Sequence, residues 1–462
     1  MNKPKVGLLP LYLELYDKNL PECRVSAEKF LKIIIKRLQS RGVEVVAAPI
    51  CRLKKEFACA VKSLEETRVD AIVTLHLAYS PSLESSDILA ATKIPIIVLD
   101  TTPNFDFGLG QSPEAIMSNH GIHGVQDMCN LLKRRGKPFQ IEAGHWEKSD
   151  VLDRVAVWAK SAKIPSFLKT ARVGQLGGYF KSMGDFALPE EILRTTIGIR
   201  IIVGRPASIR SLIPQSDSRE VKKELTDVQE KFETSGAGTD TLRRAIISGI
   251  AVRRWVKQEK LSAFTFNFME VEKKYGLPAI PFLEAGQSMA EGIGYAGEGD
   301  VLTAALVAGL LRSYPETTFT EMFCPDWKGD SIFLSHMGEI NPGVLVNKPR
   351  LIELESPFAV NRIQVKIDGI LKPGPAVLVN LAPGPDNSYV LVVAPVVVLK
   401  VNNKDRMTGT IRGWVKPSLP VADFLAEYSR AGGTHHLALV YGNSSKEVAM
   451  FGDLMGWKTV II

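Results

Sequence analysis

The sequence predicts an α/β fold that opens with a doubly wound parallel sheet, continues into a second α/β region and ends in a small antiparallel barrel or sandwich. Three observations carry that prediction. Short β-branched runs alternate with helix-length amphipathic segments through the first third, the middle again mixes strand with helix, and beyond about residue 345 short strands are separated by proline and glycine turns. Strands alternating with helices form parallel sheets covered on both faces, whereas closely spaced strands with turn residues between them pair as antiparallel neighbours.

The first strand is KVGLLPL, followed by an amphipathic stretch over 24–41, the strand VEVVAAPI, a helix over 53–68, the strand VDAIVTLHL, a helix over 82–92 and the strand PIIVLD. A helix over 118–135, the strand FQIEAG and a helix over 147–162 complete the region. Open sheets of this kind bind ligands beyond the carboxyl ends of their strands, where this chain places LHLAYSPS and LDTTPNFDFG. No GxGxxG follows the first strand, so a dinucleotide cofactor is not expected. The second region begins near ARVGQLGG (171–178) and includes IGIRIIVG, a polar helix around 217–234, a longer helix from Asp240 to about Leu261, the strand FTFNF and a helix near 301–314. RIQVKIDGIL, AVLVNLAPG, YVLVVAPVVVLKV and TGTIRGWV are the strands of the last region.

At 462 residues the chain exceeds what one hydrophobic core organises, so two or three domains are expected. Five cysteines (Cys23, Cys51, Cys59, Cys129, Cys324), odd in number and without a CxxC spacing, argue against a disulfide framework and a thiolate zinc site. No run approaches the roughly 18 uncharged apolar residues of a membrane span. A cytoplasmic protein is the expectation. The net charge of +7 comes from dispersed basic residues, and the densest run (Lys133, Arg134, Arg135, Lys137) falls at a helix end, where cations complement the helix dipole. No nucleic-acid or membrane partner is expected.

Three segments carry chemistry. GIGYAGEGD (292–300) sets Glu298 between glycines that free the backbone to aim a carboxylate into a cavity; the competing reading is a plain turn in which Asp300 caps the next helix. TFTEMFCPDWKGDSIFLSHMGEINP (318–342) carries Glu321, Asp326, Asp330, His336 and Glu339. Carboxylates with imidazole suit Mn²⁺, Co²⁺, Fe²⁺ or Zn²⁺; a surface loop with solvated acids is the alternative. RAGGTHHLALVYG (430–442) places His435 and His436 at a strand entrance. Because strand residues alternate faces, only one of the pair is expected to face a given site.

GYAGEGDVLTAAL, FTEMF, LSHMGEINP and GGTHH, in that order, together with LHLAYSPS, SNHGIHG, AGHW and LPVADFL, resemble the L-arabinose isomerase family, related in fold to the L-fucose isomerases. The resemblance covers nearly the whole chain. It implies one divalent ion, typically Mn²⁺ with Co²⁺ as an alternative, held by Glu298, Glu321, His336 and His436. It also implies a flavodoxin-like N-terminal domain (1–168), a central α/β domain (169–315) and a C-terminal β-barrel domain (316–462) with most of the metal ligands. Trimers or hexamers with sites near subunit interfaces are the implied assembly. Where the family has an acidic, tyrosine-rich stretch after the second glutamate, this chain has Met322, Phe323, Cys324 and Pro325. Leu13 and His120 replace sugar-contacting glutamines, and His123 lies beside His120 in a segment that in the family approaches a neighbouring subunit's site; local capping is the competing role of that segment.

The implied activity is aldose–ketose isomerisation of a small sugar through an ene-diol. Moving a proton between adjacent carbons needs electrostatic stabilisation, which a divalent ion supplies, and carboxylates to carry protons, which Glu298 and Glu321 provide. The altered sugar-facing wall leaves a substrate other than L-arabinose open. The alternatives are a non-catalytic sugar-binding or regulatory homologue, and an isomerase or epimerase of another pentose, tetrose or hexose.

Overall fold

The structure is a computed structural model that describes residues 3–402 and 405–462. They pack as two units, one comprising the chain up to Phe167 with Met450–Trp457, the other comprising Leu168–Ala449 with Lys458–Ile462.

The first unit is built on β1 (Lys5–Leu11), β2 (Glu44–Ala47), β3 (Ala71–His76), β4 (Ile96–Asp100) and β5 (Phe139–Ala143). They form a five-stranded sheet in the order β2-β1-β3-β4-β5, parallel throughout. Central strands of such a sheet are covered on both faces, and β3 is buried at every position. On one face the helix Glu22–Gln39 buries Ala27, Phe30, Leu31, Ile34 and Leu38, a spacing of three and four that makes one stripe. The helix Lys54–Glu66 buries Phe57, Ala60, Val61 and Leu64 into a separate core on the opposite face. Strand order reverses between β1 and β3, the crevice where doubly wound sheets hold ligands. There the Tyr12 hydroxyl, both ring nitrogens of His76 and the Ser80 hydroxyl are buried without a hydrogen-bond partner among the described residues.

The second unit begins with β6 (Arg172–Leu176), β7 (Arg200–Val203), β8 (Glu233–Gly236), β9 (Ala263–Phe266) and β10 (Gly294–Ala296). Four of these form a parallel sheet in the order β10-β9-β6-β7, while β8 pairs elsewhere. The remaining strands are β11 (Thr317–Asp326), β12 (Ser331–Ser335), β13 (Arg350–Glu355), β14 (Ile363–Ile370), β15 (Gly374–Pro383), β16 (Tyr389–Val398), β17 (Ile411–Pro417), β18 (His436–Tyr441) and β19 (Lys458–Ile461). Together with β8 they make a ten-stranded sheet, β19-β16-β15-β18-β11-β12-β17-β14-β13-β8, in which β16 also pairs with β17. That extra pairing closes β16-β15-β18-β11-β12-β17 into an antiparallel barrel. Closure removes the free edges within the ring and decides between barrel and sandwich in favour of the barrel.

Two differences from the sequence reading bear on the site. Residues 317–326, where the sequence reading named no strand and kept a surface loop as the alternative, are a barrel strand. The alternation argument for His435 and His436 also fails, because β18 starts at His436 and His435 lies just outside the strand.

Candidate functional site

The turn between β10 and the helix Val301–Leu311 is clamped from both sides. The Thr265 hydroxyl of β9 donates to the Ala296 carbonyl oxygen at 2.7 Å and accepts from the Gly299 N–H at 3.0 Å. The Gln175 amide of β6 donates to the Gly299 carbonyl oxygen at 3.0 Å, and the Phe180 N–H donates to the Glu298 carbonyl oxygen at 2.8 Å. Held this way, Glu298 adopts φ +62°, a left-handed conformation that costs a non-glycine residue and persists only where the surroundings impose it. Its carboxylate is consequently aimed at His435 and His436.

Glu321 enters from β11, where it pairs with Ser335 of β12 on one side and His436 of β18 on the other. His336 follows Ser335 directly. Three antiparallel barrel strands thus deliver Glu321, His336 and His436 to one place. Asn380 of β15 fixes the approach to β18, donating to the Thr434 hydroxyl at 2.6 Å and the His436 carbonyl oxygen at 2.7 Å.

The His436 Nε2 lies 3.0 Å from Glu321 Oε1 and 3.5 Å from Glu298 Oε2. His336 Nε2 lies 3.1 Å from Glu321 Oε1, and His435 Nε2 lies 3.7 Å from Glu298 Oε2. Ligand atoms of Glu298, Glu321, His435 and His436 all fall within 4.8 Å of one another. His336 meets this group through Glu321, and His435 joins it from outside the strand.

Each imidazole is braced from behind. Nδ1 of His436 sits 2.9 Å from Asp300 Oδ2, that of His336 2.7 Å from Glu339 Oε2, and that of His435 2.7 Å from Asp185 Oδ2. A carboxylate only accepts, so each Nδ1 carries the proton and each Nε2 is turned toward the glutamates. Tyr295 donates to the other Glu339 oxygen at 2.7 Å. Braced histidines of this kind are the usual support of metal-ligating imidazoles, since the carboxylate sets tautomer and ring orientation.

Burial pulls the Glu298 carboxyl upward, but the His435 and His436 imidazoles beside it outweigh this and hold it at about 2. Glu321 is likewise raised by burial and held far below the carboxylate range by His336 and His436. His336 is lowered by burial, yet Glu339 and Glu321 lift it to about 10, and Asp300, Glu298 and Glu321 lift His436 well above its ordinary value. The carboxylates therefore demand positive charge at the Nε2 atoms. Glu298 Oε2 and His436 Nε2 are buried and unpaired by hydrogen bonds among the described residues, a costly arrangement unless another group meets them. The donor set, two carboxylate oxygens with imidazole nitrogens around a common point, fits a divalent transition metal.

Phe319 lies edge-on to His336 and His436, with ring centroids 4.7 and 5.0 Å away, and Phe186 stacks on His436 at 5.0 Å. These rings shield the cluster from water. Asp326 and Asp330, carried by the same segment as Glu321, take no part: Asp326 accepts from the Gly329 N–H and Asp330 from the Val421 N–H at a helix start. Asp300 caps the helix as the plain-turn reading expected, accepting from the Thr303 N–H, and it also holds His436. Asp185 carried no sequence signal, because its partner His435 lies 250 positions away.

Leu13, His120 and His123 belong to the first unit. Leu13 precedes the helix Glu14–Asn19, and His120 precedes the helix Gly121–Arg134. The Tyr16 hydroxyl lies 2.8 Å from His120 Nε2, and the His120 and His123 rings meet edge-on at 5.8 Å.

Residues 209–312 match the sequence profile of the L-arabinose isomerase central domain, and residues 316–458 that of the L-arabinose isomerase C-terminal domain. Over 94% of this chain and 90% of the relative, the sequence is 22% identical to an L-arabinose isomerase of Herpetosiphon aurantiacus. It is 27% identical to L-arabinose isomerase 1 of Bacillus licheniformis over 87% of this chain and 83% of that one. An L-arabinose isomerase of Thermotoga sp. (strain RQ2) is 26% identical over 86% and 81%.

Proposed function

The chain belongs to the L-arabinose isomerase family, and from that premise we propose that it is a divalent-metal-dependent aldose–ketose isomerase acting on a small sugar. The observation that supports this most is the convergence of Glu298, Glu321 and the histidine Nε2 atoms, each histidine braced by its own carboxylate. Glu298, Glu321, His436 and His336 would hold the ion, with His435 beside Glu298. Bound there, Mn²⁺ or Co²⁺ supplies Lewis acidity toward the sugar's carbonyl and hydroxyl oxygens.

The chain's own residues account for the rest. Glu298 and Glu321 would carry the protons, being the two carboxylates at the centre of the cluster. Asp300, Glu339 and Asp185 keep the imidazoles oriented through the cycle. Phe319 and Phe186 exclude water, which strengthens every charge interaction in the cavity. Leu13, His120 and His123 of the first unit are proposed to face the sugar, in a cytoplasmic trimer or hexamer.

The test loads the protein with Mn²⁺ or Co²⁺, supplies a panel of aldoses in heavy water, and follows ketose formation with exchange at the carbon next to the carbonyl. Glu298→Gln and Glu321→Gln should each abolish turnover while circular dichroism and melting stay those of the parent. Substantial residual activity in either would remove that residue from the proton-carrying role, and exchange in no sugar by the loaded protein would end the isomerase reading.

A further inference from the structure

We propose that Phe323 sets the substrate class of this site, forming an apolar lip that selects aldoses ending in a methyl group rather than a hydroxymethyl group. The inference rests on the isomerase reading above and names the class of sugar that reading leaves open.

Alternate residues of a strand share a face, so the side of β11 that presents Glu321 also presents Phe319. Phe319 is 1% exposed and lies under the imidazoles, whereas Phe323 is 43% exposed. Burial falls steadily along the strand, from Thr317–Thr320 through the half-buried Glu321 and Met322 to the exposed Phe323. The direction from Glu321 to Phe323 is therefore the direction out of the cluster. Two strand residues span roughly 6.5 Å, comparable to the reach of a pentose or hexose chain whose first carbons sit at the carboxylates.

The pairing of β11 with β12 slips between Met322 and Cys324, leaving Phe323 as the extra residue of a bulge. Bulges beside functional sites re-aim a side chain, and here the Phe323 ring meets the His336 ring at 6.4 Å, edge toward face. An aromatic ring packs against C–H groups and offers a hydroxyl nothing. A terminal hydroxymethyl seated there gives up water without replacement, while a terminal methyl group has no hydrogen bond to lose.

The test uses sugar pairs that differ only in the terminal hydroxyl, fucose against galactose and rhamnose against mannose, in both enantiomers, with the metal-loaded protein. The methyl-ended member is expected to have the higher kcat/KM by roughly tenfold or more, the discrimination an apolar pocket can achieve. Phe323→Tyr, which adds one hydroxyl to the same shape, should bring the ratio toward one, mainly through a lower KM for the hydroxymethyl sugar. Phe323→Leu should preserve the ratio. A parent ratio near one, or a ratio unchanged in Phe323→Tyr, overturns the proposal. Titration calorimetry of the same pairs separates the two readings: absence of turnover ends the isomerase reading alone, while the ratio of binding constants still decides the role of Phe323 by the same criteria.

Discussion

Asp300 joins two structural tasks in one carboxylate: Oδ1 accepts from the Thr303 N–H at 2.9 Å, capping the helix Val301–Leu311, and Oδ2 holds His436 Nδ1. Asn would keep the cap, since its carbonyl oxygen can replace Oδ1, but it presents an NH₂ to Nδ1 and no longer fixes the tautomer. Asp300→Asn should therefore leave the melting temperature of the metal-free protein nearly unchanged while weakening Mn²⁺ about 10- to 100-fold, read by calorimetry. Equal affinity in the variant would show that Asp300 serves the helix alone. His76 offers a second residue-scale test. Burial lowers its pKa to about 3, with neither nitrogen paired among the described residues. The unfolded chain takes up this proton near the usual value of about 6.5 and the folded one does not. Stability is accordingly full above that value and is lost as pH falls toward 3. His76→Asn should flatten the decline in melting temperature between neutral and acid pH, and identical profiles would refute the assignment. At this scale the residues that converge, Glu298, Glu321, His336 and the His435-His436 pair, stood out only through the ordered resemblance of their segments to the family, since each segment alone read equally well as a turn or loop. Asp185 did not stand out, since only tertiary packing brings it to His435.

The element that aims Glu298 is the strand–turn–helix unit of β10 and Val301–Leu311. Gly294 on β10 lies so close to this helix that a Cβ there would collide with the Ala304 carbonyl oxygen and the Ala308 backbone. Those atoms are backbone and cannot rotate away. Gly294→Ala should therefore displace the helix and with it Asp300 and Glu298, lowering stability by about 1–3 kcal/mol. Denaturant unfolding measures the first effect and turnover the second, and a variant of parental stability would show that the helix can shift freely. The helix itself was readable as a long apolar run beginning after Asp300. β11 was not, because Pro325 and the acids of 318–342 gave that stretch the composition of a loop, whereas its β-branched and aromatic start (TTFTEMF) decides the outcome once β12 and β18 flank it. The bulge at Phe323 follows from that pairing and leaves no mark in a single sequence.

For the whole molecule, the chain completes the first unit only after it has built the second, because Met450–Trp457 returns to the unit formed by the first 167 residues. The alternating texture of each region announced its sheets, but this return was not legible: an amphipathic helix near a terminus carries no address, and only the core it fills reveals where it belongs. Leu454 is 4% exposed and packs in the cluster formed by Val6, Leu8, Phe30, Ile34, Val73 and Leu99. The residues on either side of this return belong to the second unit, where β19 runs parallel to β16 at the margin of the barrel sheet. Leu454→Ala removes buried methyl groups and leaves a cavity in the first unit, a change that costs about 2–5 kcal/mol in well-packed cores. Amide exchange in the parent and the variant should then diverge in β1, β3 and β4 while the amides of β11, β12 and β18 keep their protection, because local opening follows cooperative units. Loss of protection in the barrel strands as large as in the first sheet would mean that the two units unfold as one. Unchanged protection in β1 and β3 would mean that the returning segment adds nothing to the core it enters.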